Sequence, residues 1–330
     1  MLVTQHAVFR QFWYPVMPLE HLKSGPQAFS LLGQPLVLWL NNAGRAVAVE
    51  DRCCHRSAKL SQGKVKQGQI QCPYHGWCFD GAGVCTQVPQ LVDQPIPRAY
   101  RVRSFCCDQR YGYAWVCLDE PMAEIPAIPE ASDATFRYIP EFYETWDCAG
   151  LRLMENSFDN AHPHFVHENT FGLLQDPVPP APDTFVESSL GFKMTYRLPV
   201  KNSVAQKRNL GMDDEQTVRI SEGTWYAPFL RTLRITYPNG LVHLIFTAAT
   251  PIDDCSIQVV QFCLRNDTEA DAKAADIVAF DRAVTLEDKT ILEGTNPDVP
   301  LDIHAEQHMA SDKPGIVMRH QLAAMIRDRG

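Results

Sequence analysis

Hydrophobic and polar positions along this chain follow two different periods. Leu241-Val242-His243-Leu244-Ile245-Phe246-Thr247 and Gln258-Val259-Val260-Gln261-Phe262 are apolar-rich runs of strand length and read as neighbours in one sheet. Tyr111-Gly112-Tyr113-Ala114-Trp115-Val116 alternates well enough to be a strand nearer the N-terminus. Residues 269–293 instead follow a helical period, with Ile277, Phe280, Val284 and Ile291 at spacings of three, four and seven. Asp288 falls on that stripe, whereas Asp281, Glu287 and Glu293 lie off it and read as solvated. A carboxylate on a core-facing stripe is costly unless it is paired or coordinates a metal. A buried arginine would satisfy Asp288 as well as a metal would, and both explanations stay open.

Turn and linker signals divide the chain. Gly63 and Gly68 bracket a strand, and Gly81-Ala82-Gly83 offers a turn soon after it. The proline-rich run Met122–Pro129 reads as a connector, giving an all-β domain over 1–122 and a second domain over 123–330. The class is therefore α+β. The polar stretch 201–216 and the proline-rich 176–183 are expected to be loops, either ordinary surface or gating a pocket.

Composition narrows the picture. With 330 residues and 45% apolar content, the chain suits one large or two moderate domains. A net charge of −9 without a basic run argues against nucleic acid as a partner. No stretch reaches the apolar length of a membrane span, and the first residues lack the pattern of a signal peptide. Eleven cysteines, an odd number, spread along a long chain fit free thiols in a reducing cytoplasm better than a disulfide framework.

Two cysteines stand apart. Cys53-x-His55 and Cys72-x-x-His75 form two matching clusters, with sixteen residues between His55 and Cys72. Structural zinc sites usually pair Cys with Cys and His with His. Here each cluster supplies one of each, which suits a two-iron, two-sulfide Rieske centre with both thiolates on one iron and both imidazoles on the other. Such a centre passes one electron at a time. Zinc or unrelated thiols remain the alternatives.

A second constellation runs from Asn156 to His167. If its start is helical, Asn156, Asp159 and His162 share one face. His162 and His167 are five apart, and Pro163 disturbs the turn between them in a way that can bring the second imidazole beside the first. Two imidazoles and one carboxylate make the facial triad of a non-haem iron(II) oxygenase, with the opposite positions open. Asp288 is the carboxylate expected to complete it. His164 points elsewhere and reads as structural. For a pocket, the two predicted strands offer His243, Ile245, Phe246 and Phe262, although a lone strand histidine is more often a satisfied core residue.

With both motifs in order, the chain resembles the oxygenase (α) subunits of Rieske non-haem iron oxygenases over nearly its whole length. Arg56, Leu60, Pro73, Gly76 and Trp77 around the first clusters match the family pattern, as do the early Trp13-Tyr14-Pro15-Val16 and the unbroken Asn156-x-x-Asp159-x-x-His162-x-x-x-x-His167. Within the family it is similar to the α-only monooxygenases and demethylases, such as the dicamba, vanillate and toluenesulfonate-methyl oxygenases, and to the saxitoxin-pathway hydroxylases. The resemblance implies a helix-grip-like catalytic domain, a curved antiparallel sheet flanked by helices. It implies His162, His167 and Asp288 as ligands of Fe(II), Asp159 as a bridging carboxylate, and Asn156 as a polar group near the iron or substrate.

It further implies dioxygen as cosubstrate, a small organic substrate, and a separate reductase, with or without a ferredoxin, that draws on NAD(P)H. A homotrimer would bring each cluster near a neighbour's iron. Hydroxylation is the expected reaction, with oxidative N- or O-demethylation as the alternative. A Rieske electron carrier with an inert second domain ranks lower.

Overall fold

The structure, a computed structural model, describes residues 1–173 and 178–329, and of Arg329 only the backbone. Asp176 and Pro177, which begin the proline-rich segment expected to be a loop, lie outside the described residues. The chain forms two compact units. One holds Val3–Ile125 with Ile252–Asp254, and the other holds Met1–Leu2, Pro126–Pro251 and Cys255–Gly330.

The first unit is built on antiparallel strands. Six of them pair in the order Tyr14–Pro18, Tyr113–Cys117, Ser104–Arg110, Ala46–Glu50, Gln34–Leu40, Gln27–Leu31. The run expected as a strand from Tyr111 begins two residues later. Tyr111 and Gly112 both take positive φ, 54° and 77°, and make the turn that precedes the strand Tyr113–Cys117. A smaller four-stranded sheet, Lys64–Lys66, Gln69–Gln71, Cys78–Phe79 and Cys85–Gln87, carries the second Cys/His loop between its middle strands. Behind it, Trp39, Leu60, Ile70 and Phe79 are fully buried, so the loops stand on a packed base.

The second unit centres on seven antiparallel strands. Their order is Arg137–Trp146, Ile257–Arg265, Val242–Pro251, Leu230–Thr236, Gln216–Tyr226, Gly191–Lys201, Thr184–Ser188. Both strands read from the sequence pair directly, with Ile245 opposite Cys263 and Phe246 opposite Phe262. Every residue of Ile257–Arg265 is buried, because side chains pack on both faces of that strand.

Two expectations about this unit change. The stretch 201–216 is not all loop, since Val204–Leu210 is a helix. Ser203 caps it by accepting from the Gln206 amide (3.3 Å), Leu210 anchors it in the core, and Gly211 ends it in the left-handed region. The amphipathic helix runs Ala274–Leu292 and starts five residues later than its pattern suggested. Thr268 and Asp271 close a separate turn just before it, the Asp271 carboxylate accepting from the Thr268 amide (2.9 Å).

The helix Gly150–Phe158 lies against the sheet. A side chain at Gly223 would put its Cβ 2.8 Å from the Phe158 ring, so glycine in that strand permits the close approach. The other side of this helix meets Lys313–Arg329 through a buried ionic network. Arg319, 1% exposed, donates to both Glu155 oxygens (2.6 and 3.2 Å) and pairs with Glu306. Arg152 bridges the same two carboxylates, at 2.8 Å to Glu155 and 2.7 Å to Glu306. The clamp grips this helix at Glu155, the residue before Asn156. Removing Arg319 would strand buried carboxylate charge, so Arg319→Met is expected to lower stability by about 3 kcal/mol in urea denaturation. A loss below about 1 kcal/mol would show that the network behaves like an exposed pair and does not hold the helix.

Candidate metal centres

In the first unit, the two Cys/His loops place four donors in one small volume. Cys53 and Cys72 are each 2% exposed. The His55 and His75 rings meet edge to face with centroids 4.5 Å apart. His55 stacks on Trp77 at 4.6 Å, and Trp77 stacks in turn on Tyr100 at 4.8 Å. The loops are tied internally, Cys53 N–H donating to Ala58 O (2.8 Å) and Cys72 N–H to Trp77 O (2.8 Å). Gln90 accepts from the Trp77 indole N–H (3.1 Å) and donates to the carbonyl of His75 (2.9 Å). Gly76, at φ +75°, makes the turn that lets the loop fold back.

Nδ1 of both His55 and His75 is buried with no hydrogen-bond partner, although each residue is only half-buried. Burial, followed by the neighbouring His75, holds the His55 imidazole below its ordinary pKa and so neutral. Burial pushes the Cys53 thiol up to about 12, so a bound metal is what would make it a thiolate. Two inward-facing bare nitrogens beside two buried sulfurs fit a [2Fe–2S] cluster of the Rieske type.

The second centre sits on the helix end anticipated from sequence, with a different local geometry. Asp159 is not on the helix with Asn156; it ends it, at φ −83° and ψ 126°. A short helix, Pro163–Val166, follows, with His162 just before it and His167 just after. Proline at the first helical position suits this, since its missing N–H has no acceptor there. The single turn brings the two imidazoles to 5.2 Å between centroids.

Asp288 meets them from the helix Ala274–Leu292. Its Oδ1 lies 3.3 Å from His167 Nε2 and 3.5 Å from His162 Nε2, yet it is buried with no hydrogen-bond partner. Three donor atoms converge without bonding one another, which is the arrangement a shared cation would satisfy. Burial works against ionisation of Asp288, but His167, His162 and the Asn156 side chain hold it below the usual carboxylate range. Burial likewise opposes charge on His167, but Asp288 and Glu287 outweigh it and raise its pKa. The site therefore favours positive charge at its centre.

The histidines are oriented from behind. The Asp159 carboxylate accepts from the Ala161 amide (2.7 Å) and faces His162 Nδ1 at 3.3 Å. Glu287 Oε2 accepts from His167 Nδ1 (2.9 Å) and from the Thr170 hydroxyl (2.9 Å). His164 turns away, its Nδ1 meeting Leu173 O at 2.9 Å.

Beside this centre lies a cavity of about 130 Å³, on the scale of cavities that admit a single small ring. Its lining includes Asn156, Asp159, His162, His167 and Asp288. Of the four pocket residues expected from sequence, His243 and Ile245 line it. Phe246 and Phe262 do not; they stack on each other at 4.8 Å on the opposite face of the sheet. Strand alternation decides this, because adjacent residues such as Ile245 and Phe246 cannot face the same side.

Two acidic residues expected to be solvated are not. Asp281 is 7% exposed and faces His243 Nε2 at 3.2 Å, and Glu287 supports His167. Asp281 follows Ile277 by four and precedes Asp288 by seven, so helical period could have found it. Glu287, seven after Phe280 and three after Val284, is equally within reach of the helical period. Ile291, counted on the apolar stripe, is 54% exposed.

The support for His167 gives a sharp test. Glu287→Ala is expected to weaken iron(II) affinity by roughly ten- to a hundredfold while leaving the visible spectrum of the first centre unchanged. Metal titration followed by elemental analysis reads this, and unaltered affinity would deny Glu287 any positioning role. Asp288→Ala should abolish metal binding at the second centre alone.

Comparison with known proteins agrees with both centres. Residues 12–105 match the Rieske [2Fe-2S] domain, and residues 146–328 match the vanillate O-demethylase oxygenase C-terminal domain. The chain is 32% identical to methylxanthine N1-demethylase NdmA of Pseudomonas putida over 325 residues, covering 95% of this chain and 88% of that protein. It is 29% identical to methylxanthine N3-demethylase NdmB of the same organism, covering 96% and 90%. The structure of Pseudomonas putida CBB5 NdmA with caffeine superposes with a TM-score of 0.85 at 30% identity, over 98% of this chain and 93% of that one. A β domain with a cradle for a Rieske cluster, followed by an antiparallel sheet with a His/His/carboxylate centre, makes this chain a member of the Rieske non-haem iron oxygenases, oxidoreductases that carry a [2Fe–2S] cluster and a mononuclear iron.

Proposed function

We propose that the chain is the terminal oxygenase of a multicomponent system and hydroxylates a C–H bond of a small organic substrate. The observation that carries this reading is the convergence of His162, His167 and Asp288 at the wall of a cavity that can hold such a molecule. When bound, the Rieske cluster supplies single electrons and the ferrous ion supplies activation of dioxygen. The chain's own part is positional. His55, His75, Cys53 and Cys72 would hold the cluster; His162, His167 and Asp288 would hold the iron, with Asn156 beside the carboxylate and Asp159 and Glu287 fixing the two imidazoles. Leu233, Ile235 and Ile245 offer the substrate an apolar wall, and His243 a polar contact.

Each turnover would consume one dioxygen, two electrons and two protons, leaving one oxygen atom in product and one in water. The electrons would come from NAD(P)H through a separate reductase, with or without a ferredoxin. On an N-methyl group the hydroxylated carbon would leave as formaldehyde. Full-length similarity to two N-demethylases favours this second form of the reaction.

We assign residues 1–122 to the Rieske domain and 123–330 to the catalytic domain. No cysteine among the described residues is in a disulfide, which supports a reducing cytoplasmic location. No helix among the described residues is long and apolar enough to cross a membrane. A homotrimer is the assembly that gives Asp159 a second role, in which its part-exposed carboxylate would bridge His162 to His75 of a neighbouring chain.

Asp159→Asn is expected to keep both metals yet lose nearly all steady-state turnover, read as reductase-dependent oxygen uptake. Normal turnover would remove Asp159 from the electron path. Iron and sulfide analysis separates an oxygenase from a carrier, since the carrier would hold only the cluster's iron. Formaldehyde and labelled product from N-methyl compounds under labelled dioxygen would establish demethylation, whereas a stable labelled alcohol would establish hydroxylation.

A further inference from the structure

The cavity beside the second centre contains two guanidinium groups that the protein itself leaves without a carboxylate. Arg219 is 7% exposed and lies on the inward face of Gln216–Tyr226, in register with buried Thr217 and Ser221. Arg231 lies on Leu230–Thr236, and both line the cavity. Nε of each is buried with no hydrogen-bond partner, and among the described residues no carboxylate is within ion-pair distance of either. The other buried arginines are treated differently. Arg265, 1% exposed, has Asp267 at 2.5 Å, and Arg319 has Glu155 at 2.6 Å. Arg265 also lines the cavity, so its walls hold one arginine that the fold pairs with a carboxylate and two that it does not.

Nearby groups do not fill the gap. Arg219 stacks over the Phe171 ring at 4.6 Å, and Phe171 stacks on His167 at 4.8 Å, so this guanidinium is one ring away from the second centre. Phe171 contributes no negative charge. Tyr196, buried on the same wall, has its pKa raised by burial and stays a neutral phenol. Burial, and then Asp281, push Glu141 well above the usual carboxylate range, and it makes no ion pair with either arginine. Asp281 faces His243, and Asp288 faces the two histidines of the metal centre, attracting Arg231 only from beyond ion-pair distance and without offsetting its burial. An unpaired buried cation is expensive, and two in one cavity call for an anion from outside.

We propose that Arg219 and Arg231 form the anchor for a carboxylate on the substrate, which makes the substrate class a small organic acid with an apolar body. The planar guanidinium fork matches a carboxylate in two-point geometry. The body of the acid would rest against Leu233, Ile235 and Ile245. The inference rests on the proposed oxygenase function for the identity of the cavity as the substrate site, and its test reads binding without turnover.

Calorimetry on the full-length protein, with both metals loaded and oxygen excluded, would compare each acid with its primary amide. The probes are benzoate and benzamide, N-methylanthranilate and its amide, and indole-3-acetate and its amide. Acids are expected to bind at least about tenfold more tightly than their amides. Arg219→Gln and Arg231→Gln should each erase that preference while leaving amide binding unchanged. Neither variant should melt at a lower temperature, because each removes an unpaired charge.

Equal binding of acid and amide, or no millimolar binding of any acid, overturns the proposal. So does a lower melting point in the variants with the acid preference intact, which would make the arginines structural. Oxygen uptake and product release report separately on the function: acid preference without coupled product sinks the oxygenase reading alone, and coupled turnover of neutral compounds without acid preference sinks this one alone.

Discussion

The catalytic unit is organised around three lone pairs that no hydrogen atom joins. Asp288 Oδ1 lies within 3.5 Å of both His162 Nε2 and His167 Nε2 in a largely buried setting. Left alone, a buried acceptor without a donor costs free energy, and a carboxylate costs more. A cation removes that cost at a stroke. The surrounding elements then have a common purpose, which is to keep the three atoms from finding other partners. Glu287 and Thr170 hold one imidazole, Asp159 holds the other, and the Asn156 helix is clamped by Arg319 from its far side.

The sheet supplies the remaining constraint. Because side chains alternate, one face of four adjacent strands presents Arg219, Arg231, His243, Ile245 and Gln261 to the cavity. The opposite face is closed by aromatic packing such as Phe246 on Phe262. Polar groups on the cavity face are therefore not scattered surface residues. They are held by backbone register, and changing what the cavity recognises requires only a change of side chain on a rigid strand.

The two centres differed in how far the sequence disclosed them. The first draws all four donors from two short loops, so residue type and spacing were enough to indicate both the ligands and the chemistry. The second joins a local motif to a carboxylate more than a hundred residues away, and Asp288 was reachable only because a charge on an apolar helical stripe demanded a reason. Asp281 and Glu287 flank the same stripe, four after Ile277 and three after Val284, and an acidic side chain at a stripe's edge reads as solvated unless its partners are known. Arg219 was unreadable for a related cause. Whether a charged residue beside a core position is solvated depends on what the neighbouring element places against it, and that is a property of the fold. The helix Val204–Leu210 was hidden in the same way: its buried side is itself largely polar, carrying Gln206 and Asn209 beside Leu210, so its sequence resembles a loop.

The contrast in construction also gives the two metals different relations to folding. At the first centre each loop is already closed by its own backbone hydrogen bonds, and the donors come from a segment spanning only Cys53–His75. At the second, a metal would tie the helix Ala274–Leu292 to the segment that follows Gly150–Phe158. Those two elements otherwise meet there where His167 and Thr170 both hydrogen-bond to Glu287. Binding free energy at such a junction enters the stability of the whole unit, since the unfolded chain offers no comparable site. The same reasoning extends to the cavity arginines. Groups that the fold leaves unsatisfied make the ligand-free state the less stable one, so cofactor and substrate both complete a structure that the chain by itself leaves electrostatically unfinished.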